Sequence, residues 1–224
     1  GRYGNLLLGV TLRRHWVDMP ATAASIDSHI PAKVDLIAGF VQANIELLPE
    51  RLGLTLGSKW SNDSLSTTHF LPTARLRLTP TPGHTLWASY SKAVRMPSLL
   101  EQSLNLNIPE DLQHNPPIMT QFQPDPGFNA EELQAYELGW RWQAAPRWHF
   151  DLALFIHDYD EVLGANPGEL FCQPAGITVS DAPACVDSAA LLVRQRPLQN
   201  EADAESRGAE LAVAWQTGAA LYSK

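Results

Sequence analysis

The sequence predicts an all-β fold, an antiparallel up-and-down transmembrane β-barrel, here an arc of about 8–9 strands from a wider barrel. Three observations predict it. Eight stretches alternate apolar and polar residues, the period of strands with two unlike faces. The segments joining them alternate between very short and long, as where strands turn tightly at one rim and loop out at the other. Aromatic residues on the apolar parity gather at two levels, which the two membrane interfaces favour.

The stretches run over 3–14, 34–48, 51–60, 70–80, 84–94, 132–143, 147–161 and 205–216. Tight joints fall at 49–50, 81–83, 144–146 and 217–219, and long ones at 15–33, 61–69, 95–131 and 162–204. In 34–48 one parity carries Ile37, Val41, Ile45 and Leu47, and the other Phe40, Gln42, Asn44 and Glu46. In 51–60 Leu52, Leu54, Leu56 and Trp60 oppose Arg51, Thr55 and Lys59, and in 73–79 Ala74, Leu76 and Leu78 oppose Arg75 and Arg77. Farther on, Trp148, Phe150, Leu152, Leu154 and Ile156 oppose His149, Asp151 and His157, while Ala209, Leu211, Val213 and Trp215 oppose Glu210. Trp142, Trp148 and Trp215 lie beside short joints; Trp60, Tyr90 and Tyr136 lie beside long ones.

A soluble sandwich also alternates, but its strands are nearer 5 or 6 residues. Stretches of about 10 or more suit a tilted span. The polar parity then lines a lumen, with Arg13, Lys59, Arg75, Glu137, Arg141 and Asp151 among its charges. At mid-bilayer a lipid-facing charge costs about 2–4 kcal/mol, and none is placed there.

Composition excludes other classes. Net charge is −8, from 24 acidic and 16 basic residues, so no nucleic-acid partner is expected. No apolar run approaches the roughly 18 residues of a membrane helix, which excludes helical spans alone. Gly1-Arg2-Tyr3-Gly4 already reads as strand, with no signal peptide before it, and Ala220 to Lys224 reads as the opening of a ninth strand. Both ends look severed, so residues 1–224 are expected to be one partial barrel domain of a longer protein.

Cys172 and Cys185 share the segment 162–204. Two cysteines so placed read as a disulfide in an oxidising compartment, with two free thiols as the alternative. His149, Asp151, His157, Asp158 and Asp160 are metal-ligating residue types. His149 and His157, however, are separated by about 26 Å along a strand, so no metal site is expected. Asp158-Tyr159-Asp160-Glu161 lacks the glycine-punctuated form of a calcium loop. No nucleophile elbow, phosphate-cradling glycine loop or zinc-protease helix occurs. Catalytic residues are therefore expected to be none, with no cofactor and no enzyme activity.

Four segments go beyond pattern: TLWASYSKAVRMPS from Thr85 to Ser98, FNAEELQAYELG from Phe128 to Gly139, DLALFIHDYDEVL from Asp151 to Leu163, and SRGAELAVAW from Ser206 to Trp215. In this order they resemble the barrel of a TonB-dependent outer-membrane receptor, over roughly residues 34–218. Lys92 stands where that wording usually has arginine. The positions that carry the resemblance are Trp87, Ser89, Arg95, Pro97, Ser98, Glu131, Tyr136, Glu137, Gly139, Phe155, Tyr159, Ser206, Arg207, Gly208 and Glu210.

The resemblance implies a barrel of about 22 strands with a plugged lumen, in the outer membrane of a Gram-negative cell. It implies TonB-driven import of a scarce chelate such as an iron–siderophore, haem or cobalamin. The implied partners are outer-membrane lipid, the receptor's own plug domain, the TonB complex through an N-terminal region, and the chelate. The plug, the TonB-contacting segment and the closing strands are expected to lie outside these residues. Short joints become periplasmic turns and long ones exterior loops. A passive porin-like channel and a soluble β-rich binding or enzyme domain stand as alternatives.

Position by position, Pro97 ends a ladder because proline has no N–H donor. Gly139 and Gly208 bare the lumen wall, suiting close approach of an internal domain or a strand bend. Arg207 and Glu210 read as a structural ion pair near the rim. The proline-rich segment 96–130 reads either as part of a ligand-capturing vestibule or as a solvated cap.

Overall fold

The computed structural model describes residues 4–19, 30–103, 106–123, 127–165, 168–173, 177–178 and 191–216. Eight long strands form one antiparallel wall: β1 (Gly4–Met19), β2 (Ile30–Leu48), β3 (Leu52–Asp63), β4 (Thr68–Leu78), β5 (His84–Arg95), β8 (Glu131–Ala145), β9 (Trp148–Ala165) and β12 (Leu191–Trp215). Each covers one of the eight alternating stretches, falling short of it by at most two residues at an end. Neighbours in sequence are neighbours in the wall, and among the described residues β1 and β12 do not pair with each other. The sheet is an open arc of barrel wall.

Register sorts the faces as parity requires. Val41 opposes Ser58 and Leu8, Leu54 opposes Leu76, Ala88 opposes Leu138, and Leu154 opposes both Leu138 and Ala209. The apolar set stays on the outer face and open to the surroundings: Leu56 is 44%, Leu138 53% and Leu211 67% exposed. No large side chain is fully buried among the described residues. Outward leucines in alternation with inward polar residues are the pattern of transmembrane barrel strands.

Aromatic belts bound this band. Along the short-joint rim, His84, Trp140, Trp142, Phe150, Trp148 and Trp215 form a run of stacked rings crossing from β5 to β12, with successive centroids 5.3–6.2 Å apart. At the other level Trp60 opposes Phe70, and Tyr90 packs on Tyr136 at 5.1 Å. Leu52 to Trp60 spans about 26 Å of strand at the usual rise, which a tilt near 40° reduces to about 20 Å of bilayer. Arg14, Lys33 and Asp35 share the outer face, but Asp35 is four residues above Gly39, the partner of Trp60. These charges therefore sit beyond the apolar band.

Strict alternation of short and long joints does not survive. The joint expected at 61–69 is only 64–67, shorter than the 79–83 connection on the opposite rim. The strands run past their apolar stretches because ladder bonds continue above the band, where side chains no longer need to be apolar. For the same reason 15–33 shrinks to 20–29, which lies outside the described residues, as does the joint at 217–219.

The two longest joints hold structure that their prolines concealed. Segment 96–130 carries α1 (Leu99–Ser103), β6 (Leu106–Asp111) and β7 (Ile118–Gln123); segment 162–204 carries β10 (Leu170–Gln173), β11 (Ile177–Thr178) and the upper part of β12. Together they form a platform above the wall. Leu192, Val193 and Arg194 pair with β10 antiparallel on one edge and with β7 in parallel on the other. Cys172, Leu192 and Val193, at 4–6% exposure, are buried within this platform, as are Phe128 and Ala130, at 2–3%, where the first segment returns to the wall.

Candidate functional site: lumen wall and outer platform

The lumen face is a polar ladder crossing the strands. Asn44 Nδ2 donates to Asn5 Oδ1 at 2.6 Å, while Asn44 Oδ1 accepts from Thr55 Oγ1 at 2.9 Å and Gln42 Nε2 at 3.2 Å. On the far strands Ser89 Oγ donates to Glu137 at 2.9 Å. His157 Nε2 lies 3.8 Å from Glu137, too far for a hydrogen bond. Below, Arg77 pairs with Glu46 at 2.9 Å and Arg141 with Asp151 at 2.7 Å. The Arg75 guanidinium lies over the Trp87 ring at 5.4 Å, a cation–π placement. Glu46, Arg75, Arg77, Arg141 and Asp151 are thus organised within the wall, by cross-strand pairs of opposite sign or by an aromatic face.

Gly139 and Gly208 leave no free surface. Trp87 is the cross-strand partner of Gly139, and a Cβ added there would come within 2.2 Å of the indole ring. Phe155 is the partner of Gly208, where an added Cβ would come within 2.6 Å of the phenyl ring. Phe40 covers Gly9 in the same manner. The expectation of room for an internal domain is corrected: each glycine lets a neighbouring aromatic lie flat on the wall, which keeps both strands paired and smooths the lumen.

Arg207 and Glu210 do not pair. Three residues apart on one strand, they point to opposite faces. Arg207 shares the outer face with its partner Ile156 and approaches Glu205 at 3.7 Å; Glu210, opposite Ala153, faces the lumen. Ser206, opposite His157, is on the lumen face, and so is Tyr159, whose ring meets His157 edge-on at 6.5 Å. Tyr136 belongs to the outer belt.

The remaining motif positions meet where the platform leaves the wall. Arg95 forms a two-pronged pair with Glu131, both contacts 2.7 Å, and reaches Glu101 at 3.0 and 3.2 Å. Glu101 accepts the Ser98 amide at 2.7 Å while Ser98 Oγ accepts the Glu101 amide at 3.2 Å, a reciprocal cap on α1. Pro97 is buried at the bend. The Arg95 hydrogen bonds hold the Glu131 carboxyl below its usual range against the opposing effect of burial, and the Leu163 amide, 2.9 Å away, adds to this. Burial pushes Glu101 upward, but the Ser98 and Arg95 bonds outweigh it and leave this carboxyl lowered too.

Sequence reasoning missed Glu101 and Asn200. The Ser98-x-x-Glu101 spacing is a capping-box signal that was there to be read. Asn200 offered none, because its partners Asn129 and Glu161 are 71 and 39 residues away. His149 and His157 stay far apart on β9, and among the described residues no group of three metal-ligating side chains gathers. Cys172 is disulfide-bonded; Cys185 lies outside the described residues.

This wall, with lipid-ready leucines outside, a polar ladder inside and two aromatic belts, is matched over residues 3–223 by the family described as TonB dependent receptor-like, beta-barrel. The chain belongs to that family. Solved TonB-dependent receptors share its fold. A mutant of the ferric enterobactin receptor PfeA from Pseudomonas aeruginosa superposes with a TM-score of 0.74 at 20% identity, covering 94% of this chain and 30% of that one. The siderophore receptor PirA from Pseudomonas aeruginosa gives 0.70 at 20% identity, with 93% and 35% covered. The FrpB iron transporter from Neisseria meningitidis gives 0.61 at 13% identity, with 97% and 31% covered. The chain thus spans about a third of the length of these receptors. No curated protein sequence matches it.

Proposed function

We propose that this chain is the middle-to-late barrel wall of an outer-membrane receptor that imports a scarce nutrient chelate, an iron–siderophore, haem, cobalamin or a similar ligand, driven by TonB. The observation that carries this reading is the family match over nearly the whole chain, on a wall whose outer face suits lipid and whose inner face is polar. In this reading residues 1–224 are a partial domain, and the plug and TonB-contacting segment belong to the rest of the receptor. The turns at 49–51, 79–83 and 146–147 are periplasmic, and the platform faces outward, where it meets the chelate. No bond chemistry is assigned to the wall. Cys172 pairs with Cys185, the one other cysteine of the sequence, in an oxidising exterior.

Energised uptake is the test. A strain lacking the gene for the full receptor is grown under iron limitation and given a panel of labelled chelates, with and without a functional TonB system. Loss of uptake of one chelate in both the receptor-null and the TonB-null strain is the expected result. Uptake that needs the receptor but persists without TonB would replace this reading with a passive channel.

A further inference from the structure

The two long outer segments are tied together at every stem. Glu131, where 96–130 returns to the wall, holds Arg95 at the point where that segment leaves, and also accepts the Leu163 amide on the strand rising into 162–204. Asn200, where that second segment comes down, closes the remaining gap. Its Oδ1 accepts the Asn129 amide at 2.7 Å, and its Nδ2 donates to the carbonyls of Glu161 at 2.6 Å and Asn129 at 3.2 Å. Glu161 stands in the left-handed region at φ 57°, beside a break in the β9–β12 register between Asn200 and Ala204.

Above the stems the connection is topological. The pairing of β9 with β12, Leu198 opposite Ala165, is taken up again by β10 after a one-residue shift of register, with Arg194 opposite Leu170. Strand β10 therefore occupies the edge of β12 that β9 uses lower down. The other edge is taken by β7, in parallel from Leu192↔Ile118 to Pro197↔Gln123. To reach it, the first segment must cross the β9–β12 hairpin like a strap. Glu110 fastens the strap, accepting from Thr120 Oγ1 at 2.7 Å on its own hairpin and from Arg194 Nε at 3.1 Å on β12.

We propose that the paired strands of the two segments, 106–123 from the first and 170–173 with 191–197 from the second, move as one body, hinged at the wall on the Arg95–Glu131 pair and Asn200, so that neither opens without the other. Parallel two-strand pairs are seldom stable uncovered, and six rungs of this one would be lost if either segment left. Leu192 and Val193 would then be exposed together. Under the transport reading, movement of this part of the mouth is concerted rather than loop by loop, but the coupling itself stands whether or not the protein transports.

Hydrogen–deuterium exchange of the full-length receptor in lipid nanodiscs tests it. In the wild type, amides of 106–123 and of 191–197 exchange with the same protection, as members of one cooperative unit. Asn200→Ala removes three hydrogen bonds that lie outside 106–123, and speeds exchange in both segments by about tenfold or more, leaving 52–60 in the wall unchanged. Acceleration confined to 191–197 overturns the proposal. Unequal protection of the two segments in the wild type overturns it as well, without any variant, so a failure of Asn200→Ala to fold does not shield it.

Discussion

At the residue scale, the aromatic-over-glycine pairs explain why three glycines sit within strands, where glycine is otherwise unfavourable. Gly9, Gly139 and Gly208 each lack a Cβ because a Phe or Trp on the next strand lies across the position. Adding one methyl at Gly139 forces the Trp87 indole off the wall, toward the Arg75 guanidinium that it supports. Gly139→Ala is therefore expected to destabilise the wall by about 1–3 kcal/mol, as overpacking does. The measurement is the temperature at which the folded band disappears on unheated gels. Trp87→Ala in the same chain should recover part of the loss, since it vacates the space the methyl needs; equal melting of Gly139→Ala and wild type would refute the packing argument.

At the scale of the element, the period of 2 makes adjacent positions on one strand unlike. Leu154 lies on the outer face between Leu138 and Ala209, within the apolar band, while Ala153 lies on the lumen face between Gly139 and Glu210. Leu154→Arg is expected to cost about 2–4 kcal/mol, because it sets a charge against hydrocarbon. Ala153→Arg can extend into a polar lumen beside Glu210, and should fold into membranes at close to the wild-type yield. Refolding into liposomes, scored by protease protection, distinguishes the two. Equal tolerance at both positions would mean that the outer face does not meet lipid, and would favour a soluble β-rich domain.

For the whole molecule, the buried side chains gather at the long-loop end of the wall and in the platform above it. Among the described residues no large side chain is fully buried, and the best-buried apolar side chains include Cys172, Leu192 and Val193 in the platform. A disulfide at Cys172 secures the part of the platform that pairs with β12. Closure of a loop of about this length contributes on the order of 3 kcal/mol in the chain-entropy account. Denaturing the receptor and alkylating it without reductant should leave both cysteines unmodified, and prior reduction should add two alkyl groups to the intact mass. Modification of either cysteine before reduction would remove the Cys172–Cys185 pairing.

Much of the architecture is legible in the amino-acid sequence. Alternation along each stretch fixed which residues share a face, because a strand has two faces and lipid tolerates no charge at mid-depth. The ordered motifs from Trp87 to Glu210 named the family by resemblance. Alternation said nothing of what opposes a residue, since register depends on the neighbouring strand: Gly139 under Trp87 and Arg207 turned away from Glu210 are facts of pairing. The platform was hidden for a related reason. Its strands are short and interrupted by proline, and their partners lie some 74 residues away, as Gln121 and Gln195 do. Local sequence specifies local preference, whereas a parallel pair between two loops exists only once the barrel has brought their stems together.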